Sequence, residues 1–428
     1  MKIIKNIIDI DLKCKTGEHL IINGINGLAD VIKRPEYEWF KGVLNEEILS
    51  DDEEKNSIFK TLVERGYIVE NDYDESAERW AIIEQLKKNR QECINKCKSV
   101  SFVLTYGCNF ACPYCYEKGI ESRTVMTREQ VDQIFAINDN SLEYIGLFGG
   151  EPLLLTNRSI IEYIISKAPT AKYNVITNGY YLEEYFDLLK KVEWTTIQVT
   201  FDGERDIHNK TRILRGGQET FDKIYAGIRL YAENKLPILI RMNVHPGNVE
   251  SCMRLKTQIE NEPWAQTIRF EMQEVFQVEG DNRKKISETL MEQDVKSAQK
   301  NEILQRQGSI SNFLYSGQPL KPILRTCDAD YTQIMYDPEG DVYACILSVG
   351  NKKKRVATYG DRMYYEENSL LKRDITTIPK CRECKYALFC GGGCPNAVPD
   401  ELDIMRGSWE NSHLYSHKKC RLCTADKR

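Results

Sequence analysis

Residues 99–115 read SVSFVLTYGCNFACPYC, and this stretch decides the fold. Its first seven residues form an apolar, β-branched and aromatic run of strand length. The loop that follows directly carries Cys108, Cys112 and Cys115. Working outward, apolar runs of the same length recur at 144–148, 173–177, 196–201, 237–244 and 267–272. Amphipathic helical segments lie between them, at 127–137, 159–167 and 220–233, and Thr127 with Gln130 fits a capping box at the start of the first. Six β-then-α units predict an α/β domain with a parallel sheet and reactive groups at the strand C-terminal ends.

The whole chain has 428 residues, 41% hydrophobic and 29% charged, which predicts two to three domains and excludes a disordered or collagen-like chain. A net charge of −5 asks for no nucleic acid and no anionic membrane. No apolar run is long enough to span a bilayer, and Asp9 and Asp11 interrupt the stretch a signal peptide would need, so the expectation is a cytoplasmic chain. Residues 1–75 have a pattern of their own. Short strands at 3–10, 19–23 and 28–32 are followed by helices at 34–44 and 56–65, then by a closing strand at 67–69. That order suggests a winged helix-turn-helix, although the acidic run at 51–54 speaks against DNA as its partner. A polar helix at 76–98 bridges to the parallel domain, expected over 100–310. Beyond residue 310 the pattern dissolves into short segments punctuated by cysteines.

Fifteen cysteines are the most informative count, and they cluster: three in the first loop, then eight from Cys327 to Cys423. In a reducing compartment such clusters read as metal ligands before disulfides. Three thiolates on one short loop can hold three irons of a [4Fe–4S] cubane and leave the fourth iron open to a small molecule. A zinc site would need a fourth ligand, and no nearby His or Cys supplies one. Cys14, Cys93, Cys97 and Cys252 read as structural.

Cys108-Asn109-Phe110-Ala111-Cys112-Pro113-Tyr114-Cys115 resembles the CxxxCxΦC signature of the radical S-adenosylmethionine (radical SAM) superfamily, with Tyr114 as the aromatic Φ. Further motifs match in order. Gly149-Gly150-Glu151-Pro152 resembles the family's GGEP, which implies Glu151 as an acceptor for the SAM ammonium. Asn178 lies in the polar edge Thr177-Asn178-Gly179. Thr200-Phe201-Asp202-Gly203, His208 and Arg212 resemble SxDGxxxxHDxxR of the peptide-modifying subgroup, with Thr200 for Ser and Asn209 for Asp. The resemblance implies a partial (β/α)6 TIM barrel, SAM and a cluster on Cys108, Cys112 and Cys115. It further implies Arg212 on the SAM carboxylate, Asp202 facing ribose or substrate, and Asn243 near the nucleoside.

The C-terminal cysteines resemble a SPASM domain over 311–428, which implies two auxiliary [4Fe–4S] clusters and three in all. Cys327, Cys345 and Cys394 would hold the first, and Cys381, Cys384, Cys390 and Cys420 the second. No cysteine lies in 328–344, so either Cys423 completes the first cluster or one iron stays open. The N-terminal unit resembles a RiPP recognition element, which binds a leader peptide by strand addition. The resulting expectation is a maturase that crosslinks a ribosomally made precursor, most simply through a Cys-derived thioether. Its partners would be that precursor and an electron donor such as flavodoxin or ferredoxin. Other couplings (C–C or C–O), a sulfatase-maturase-like formylglycine activity, and a non-enzymatic iron–sulfur carrier or zinc-binding interaction protein are the alternatives.

Overall fold

A computed structural model describes residues 1–11, 17–42, 53–120, 122–245, 247–274, 320–366 and 369–392. The chain divides into two compact units. One comprises 1–95, 291–327 and 372–428; the other comprises 96–290 and 328–371. No described helix is long and apolar enough to cross a membrane.

The first unit opens with β1 (Lys2–Ile3), β2 (Ile7–Asp11), β3 (His19–Asn23) and β4 (Ala29–Ile32). Next come α1 (Arg34–Gly42), α2 (Glu53–Glu64), β5 (Ile68–Val69) and α3 (Glu75–Lys96). The run at 3–10, expected as one strand, is broken in the middle. There Glu75 accepts from the Lys5 and Asn6 amides at 2.7 and 3.1 Å, so β1 pairs with β5 while β2 pairs with β3. Strands β2-β3-β4 form an antiparallel sheet that is apolar on both faces, as the period-2 geometry of consecutive isoleucines requires. Ile21 and Ile32 pack with Tyr37, Phe40, Leu62 and Tyr67 on one face. Ile8, Ile10, Leu20 and Ile22 pack on the other with Ile83, Leu320, Leu324, Ile375, Leu388 and Phe389. The N-terminal strands thus share a core with segments more than 290 residues away in sequence.

In the second unit, β6 (Ser99–Val103), β7 (Tyr144–Phe148), β8 (Lys172–Thr177), β9 (Glu193–Thr200), β10 (Ile238–Val244) and β11 (Arg269–Glu274) lie in sequential order. Every neighbouring pair among these six is parallel. Between them run α4 (Arg128–Ile137), α5 (Arg158–Lys167), α6 (Leu182–Leu189), α7 (Arg205–Thr211), α8 (Phe221–Glu233) and α9 (Val249–Glu260). The capping box is formed: Thr127 accepts from the Gln130 amide and the Gln130 side chain accepts from the Thr127 amide. Sheet residues such as Phe102, Ile145, Val175, Ile197 and Ile240 are buried against the helices in one core. Strand order and direction are those of an uninterrupted β/α repeat, which puts every strand's C-terminal end on the same side.

The sheet does not stop there. β12 (Met335–Tyr336) adds parallel to the free edge of β6, and β13 (Asp341–Tyr343), β14 (Ala357–Tyr359) and β15 (Met363–Tyr365) continue antiparallel, making ten strands. Gly340, at φ +87°, makes the β12–β13 turn. Buried Asp337 ties that turn to β6. It accepts from the Glu339 and Asp341 amides at 2.9 and 2.8 Å and from the Tyr106 hydroxyl at 2.6 Å. Burial pushes its carboxyl up to about 6. The folded state therefore holds a proton the unfolded chain has released, and stability falls as pH rises from about 4 to about 6. Asp337→Asn, which keeps an acceptor for both amides, should flatten this part of the profile. The expected size is on the order of 2 kcal/mol, checked by parallel thermal melts of both proteins across that window.

Candidate functional site

The candidate residues of the second unit gather at or beyond the C-terminal ends of the parallel strands, except Arg212, which follows α7, and Cys345, which follows β13. The loop after β6 is pinned to the segment after α7: Phe110 bridges to Leu214, the Ala111 amide donates to Ile213 O at 2.8 Å, and Arg215 Nε donates to Cys108 O at 2.9 Å. Phe110 is the buried anchor, set edge-on to Tyr180. Cys108, Cys112 and Cys115 carry free thiols. Burial raises all three, Cys108 to about 12, while the Arg212 charge pulls Cys112 back down.

The Gly-Gly-Glu-Pro turn after β7 packs directly on the end of β6. A Cβ at Gly149 (φ +134°) would lie 2.3 Å from Thr105 O, and one at Gly150 2.5 Å from both Tyr106 O and Gly107 O. Only glycine fits there. Glu151 is 1% exposed, and its carboxylate accepts from the Leu153 amide, Thr177 Oγ1 and the Asn178 amide at 2.8, 2.6 and 2.6 Å. It thereby locks β7 to β8 and aims Asn178, whose Nδ2 donates to Asn109 Oδ1 at 2.7 Å.

Asp202, after β9, is 0% exposed. One oxygen accepts from the Asn243 amide at 2.8 Å and the other from the Tyr114 hydroxyl. Asp202 is thereby tied to Tyr114 and to the end of β10. Arg212 donates to the Tyr114 hydroxyl at 3.2 Å and stacks over Phe110. The Asp202 amide donates to His208 Nδ1 at 3.2 Å, which places the imidazole proton on Nε2. Burial and the Arg212 charge hold His208 neutral. Asn209 Oδ1 accepts from the Thr220 and Phe221 amides at the start of α8. Thr200 is buried at the end of β9, in register with Arg241.

Three buried donors beside this loop have no hydrogen-bond partner: Asn109 Nδ2, Arg212 Nε and Arg241 Nε. Unpaired buried donors are costly, and together with three thiols they suit an anionic cluster and a carboxylate-bearing ligand. Sequence reasoning missed Asn109 and Glu117, the latter with an unpartnered Oε1 and a carboxyl raised by burial to about 7. Asn109 sits within the cysteine motif and Glu117 two residues after it, but nothing in spacing distinguishes them from ordinary loop residues. Among the described residues, no three His, Cys, Asp or Glu side chains converge as a single-ion site would require. A cubane makes a different demand, since each thiolate takes its own iron corner.

Of the C-terminal cysteines, Cys345 follows β13 in the second unit, while Cys327, Cys381, Cys384 and Cys390 belong to the first. Cys381 and Cys384 pack against the apolar core in which Cys390 is buried, and burial, reinforced by the other two thiols, pushes Cys381 up to about 11. Cys394, Cys420 and Cys423 lie outside the described residues.

Residues 102–255 match the radical SAM superfamily model. The chain carries a radical SAM domain. A Methanocaldococcus jannaschii protein named for glycyl-radical enzyme activation is 33% identical over 107 residues, 25% of this chain and 42% of that protein. The radical SAM cyclopropyl synthase TigE of Paramaledivibacter caminithermalis is 26% identical over 218 residues, 45% of this chain and 44% of TigE. The sporulation killing factor maturation protein SkfB of Bacillus subtilis is 25% identical over 166 residues, covering 38% and 40%. The chain thus spans about two fifths of these curated relatives. The solved structure of anSMEcpe with bound AdoMet and the Kp18Cys peptide is similar in fold, with a TM-score of 0.59 and 18% identity, covering 75% of this chain and 97% of that one. The radical SAM domain accordingly accounts for the three-cysteine loop and the parallel sheet that carries it.

Proposed function

We propose that this chain is a radical SAM peptide maturase that crosslinks a ribosomally made precursor through a Cys-derived thioether. The observation that carries the radical SAM part is the three-thiol loop set beside the unpartnered N–H groups of Asn109 and Arg212. Cys108, Cys112 and Cys115 would hold the [4Fe–4S] cluster. Arg212, Asn178, Thr200, Asn243 and the 149–152 turn would hold SAM. When bound, SAM and the reduced cluster supply hydrogen-atom abstraction from unactivated carbon.

The chain's own part is positional. Glu151 fixes the ends of β7 and β8, Asp202 orients Tyr114, and Arg212 stays cationic beside the thiols. Such an arrangement holds the reacting groups still and keeps water from competing. The peptide substrate draws support from SkfB, whose name is that of a maturation protein. In this reading the leader docks on the winged-helix-like residues 1–75, a RiPP recognition element, and a flavodoxin or ferredoxin supplies electrons. The SPASM-like cysteines Cys327, Cys345 and Cys394, and Cys381, Cys384, Cys390 and Cys420, hold two auxiliary clusters, with Cys423 or an open iron completing the first.

A thioether forms with net loss of two hydrogens from the precursor. The test is anaerobic incubation with SAM, dithionite and a cysteine-containing candidate precursor peptide. The expected results are 5′-deoxyadenosine release and a product two hydrogens lighter whose joined cysteines resist iodoacetamide. A lighter product with fully alkylatable cysteines rejects the thioether and favours carbon–carbon coupling, the chemistry named in the cyclopropyl synthase TigE. No 5′-deoxyadenosine rejects the enzyme.

A further inference from the structure

Helix α3 is polar in sequence, yet one of its faces does specific work inside the first unit. Glu75, Arg79 and Ile83 succeed one another at four-residue spacing, and Ile82 and Leu86 pack beside them. Glu75 holds the β1–β2 break, and Ile83 enters the shared core. Between them Arg79 is 9% exposed. Its Nη2 donates to Cys381 O at 2.8 Å and its Nη1 to Cys384 O at 3.2 Å. The two nitrogens of one planar fork thus clamp both carbonyls of the Cys381-x2-Cys384 turn, a task suited to guanidinium and not to a single ammonium. The same turn is closed internally, with the Cys384 amide donating to Cys381 O at 3.3 Å.

Burying a guanidinium costs several kcal/mol unless an anion faces it. Among the described residues no carboxylate pairs with Arg79; what faces it is the pair of cysteines, whose negative charge would stabilise the cation. Cys381 and Cys384 are half-buried and Cys390 is buried in the same apolar core, so their charge would be poorly screened by water. A buried cation clamped to a turn that carries thiols marks the place where an anionic centre belongs.

We propose that Arg79 is the counter-charge and positioning residue of an iron–sulfur centre held by Cys381, Cys384 and Cys390, and that it raises the reduction potential of that centre. This rests on reading those cysteines as cluster ligands. A fixed positive charge stabilises the more negative, reduced state, and net charge and hydrogen bonding are the levers that set such potentials. The helix that holds the N-terminal strands through Glu75 thereby also sets the redox poise of a centre built more than 300 residues later.

The test uses the full-length, anaerobically reconstituted protein. The Cys381→Ala/Cys384→Ala variant identifies which iron and which electron paramagnetic resonance signal belong to this centre. Arg79→Met should make the reduced-to-oxidised ratio of that signal about tenfold lower at the wild-type midpoint, a shift of about 59 mV for one electron. Arg79→Lys, which keeps the charge but not the fork, should hold the midpoint nearer the wild-type value and lose this centre's iron to a chelator severalfold faster. Wild-type midpoint and wild-type chelation rate in both variants overturn the role of Arg79. If Arg79→Met does not fold, Arg79→Lys decides through its chelation rate, an unchanged rate counting against the proposal. Equal iron content and identical spectra in the wild type and the double cysteine variant overturn the ligand reading itself, and the proposal with it.

Discussion

Replacing Cys108, Cys112 and Cys115 together by Ala is expected to remove about four irons per chain and to reduce 5′-deoxyadenosine release from SAM to background. The three thiols are the motif's sulfur donors, and no other described cysteine of the second unit lies on that loop. The loop itself should survive the change. Its shape depends on the buried Phe110 anchor, the Phe110–Leu214 bridge and the Ala111 amide bond to Ile213 O, none of which involves a thiol. Iron analysis, ultraviolet–visible spectra and a thermal melt on the same preparation separate loss of the centre from loss of the fold. A folded triple variant with the same iron content as the wild type, or zinc without iron in strictly anaerobic wild-type protein, would sink the radical SAM chemistry.

Deleting residues 1–75 should do more than remove a leader-docking surface. Ile8, Ile10, Leu20 and Ile22 are buried against Leu320, Leu324, Ile375, Leu388 and Phe389. Exposing four such side chains costs roughly 6–12 kcal/mol, which matches the whole stability of an ordinary domain at about 5–15 kcal/mol. The truncated chain is therefore expected to lose protection over 372–392, the stretch that carries Cys381, Cys384 and Cys390. Limited proteolysis read by mass spectrometry checks this, and cleavage there as slow as in the intact chain would refute the shared core. The second unit, which holds the radical SAM residues, should keep its protection. Failure of the truncated protein to modify a precursor would consequently not isolate leader binding.

Much of this was legible in residue order. Six apolar runs alternating with amphipathic segments required a parallel β/α array, because strand-to-helix-to-strand connections return each strand in the same direction. The capping box at Thr127 is a local rule, decided by residues three positions apart. The cysteine spacing stated its chemistry for the same reason: three ligands of one centre on one loop need no distant partner.

What escaped the reading involves groups far apart in the chain. The assignment of Glu151 as a ligand for SAM was drawn from its motif; only the assembled strand ends show its carboxylate holding Thr177 and the Asn178 amide. Nor does the motif show that Asp202 is held between Tyr114 and the Asn243 amide. The four strands beyond residue 330 carry no signal that β12 pairs with β6 and that β13, β14 and β15 extend the sheet from there. Arg79 looked like one more charge on a polar helix until the fold set it against Cys381 and Cys384. By itself the sequence determined the repeat, the turns and the three-thiol loop, because periodicity and spacing act over a few residues. Tertiary structure alone decided which buried charge meets which carbonyl and what covers each face of the N-terminal sheet. Those outcomes depend on desolvation and packing between segments that only the folded chain brings together.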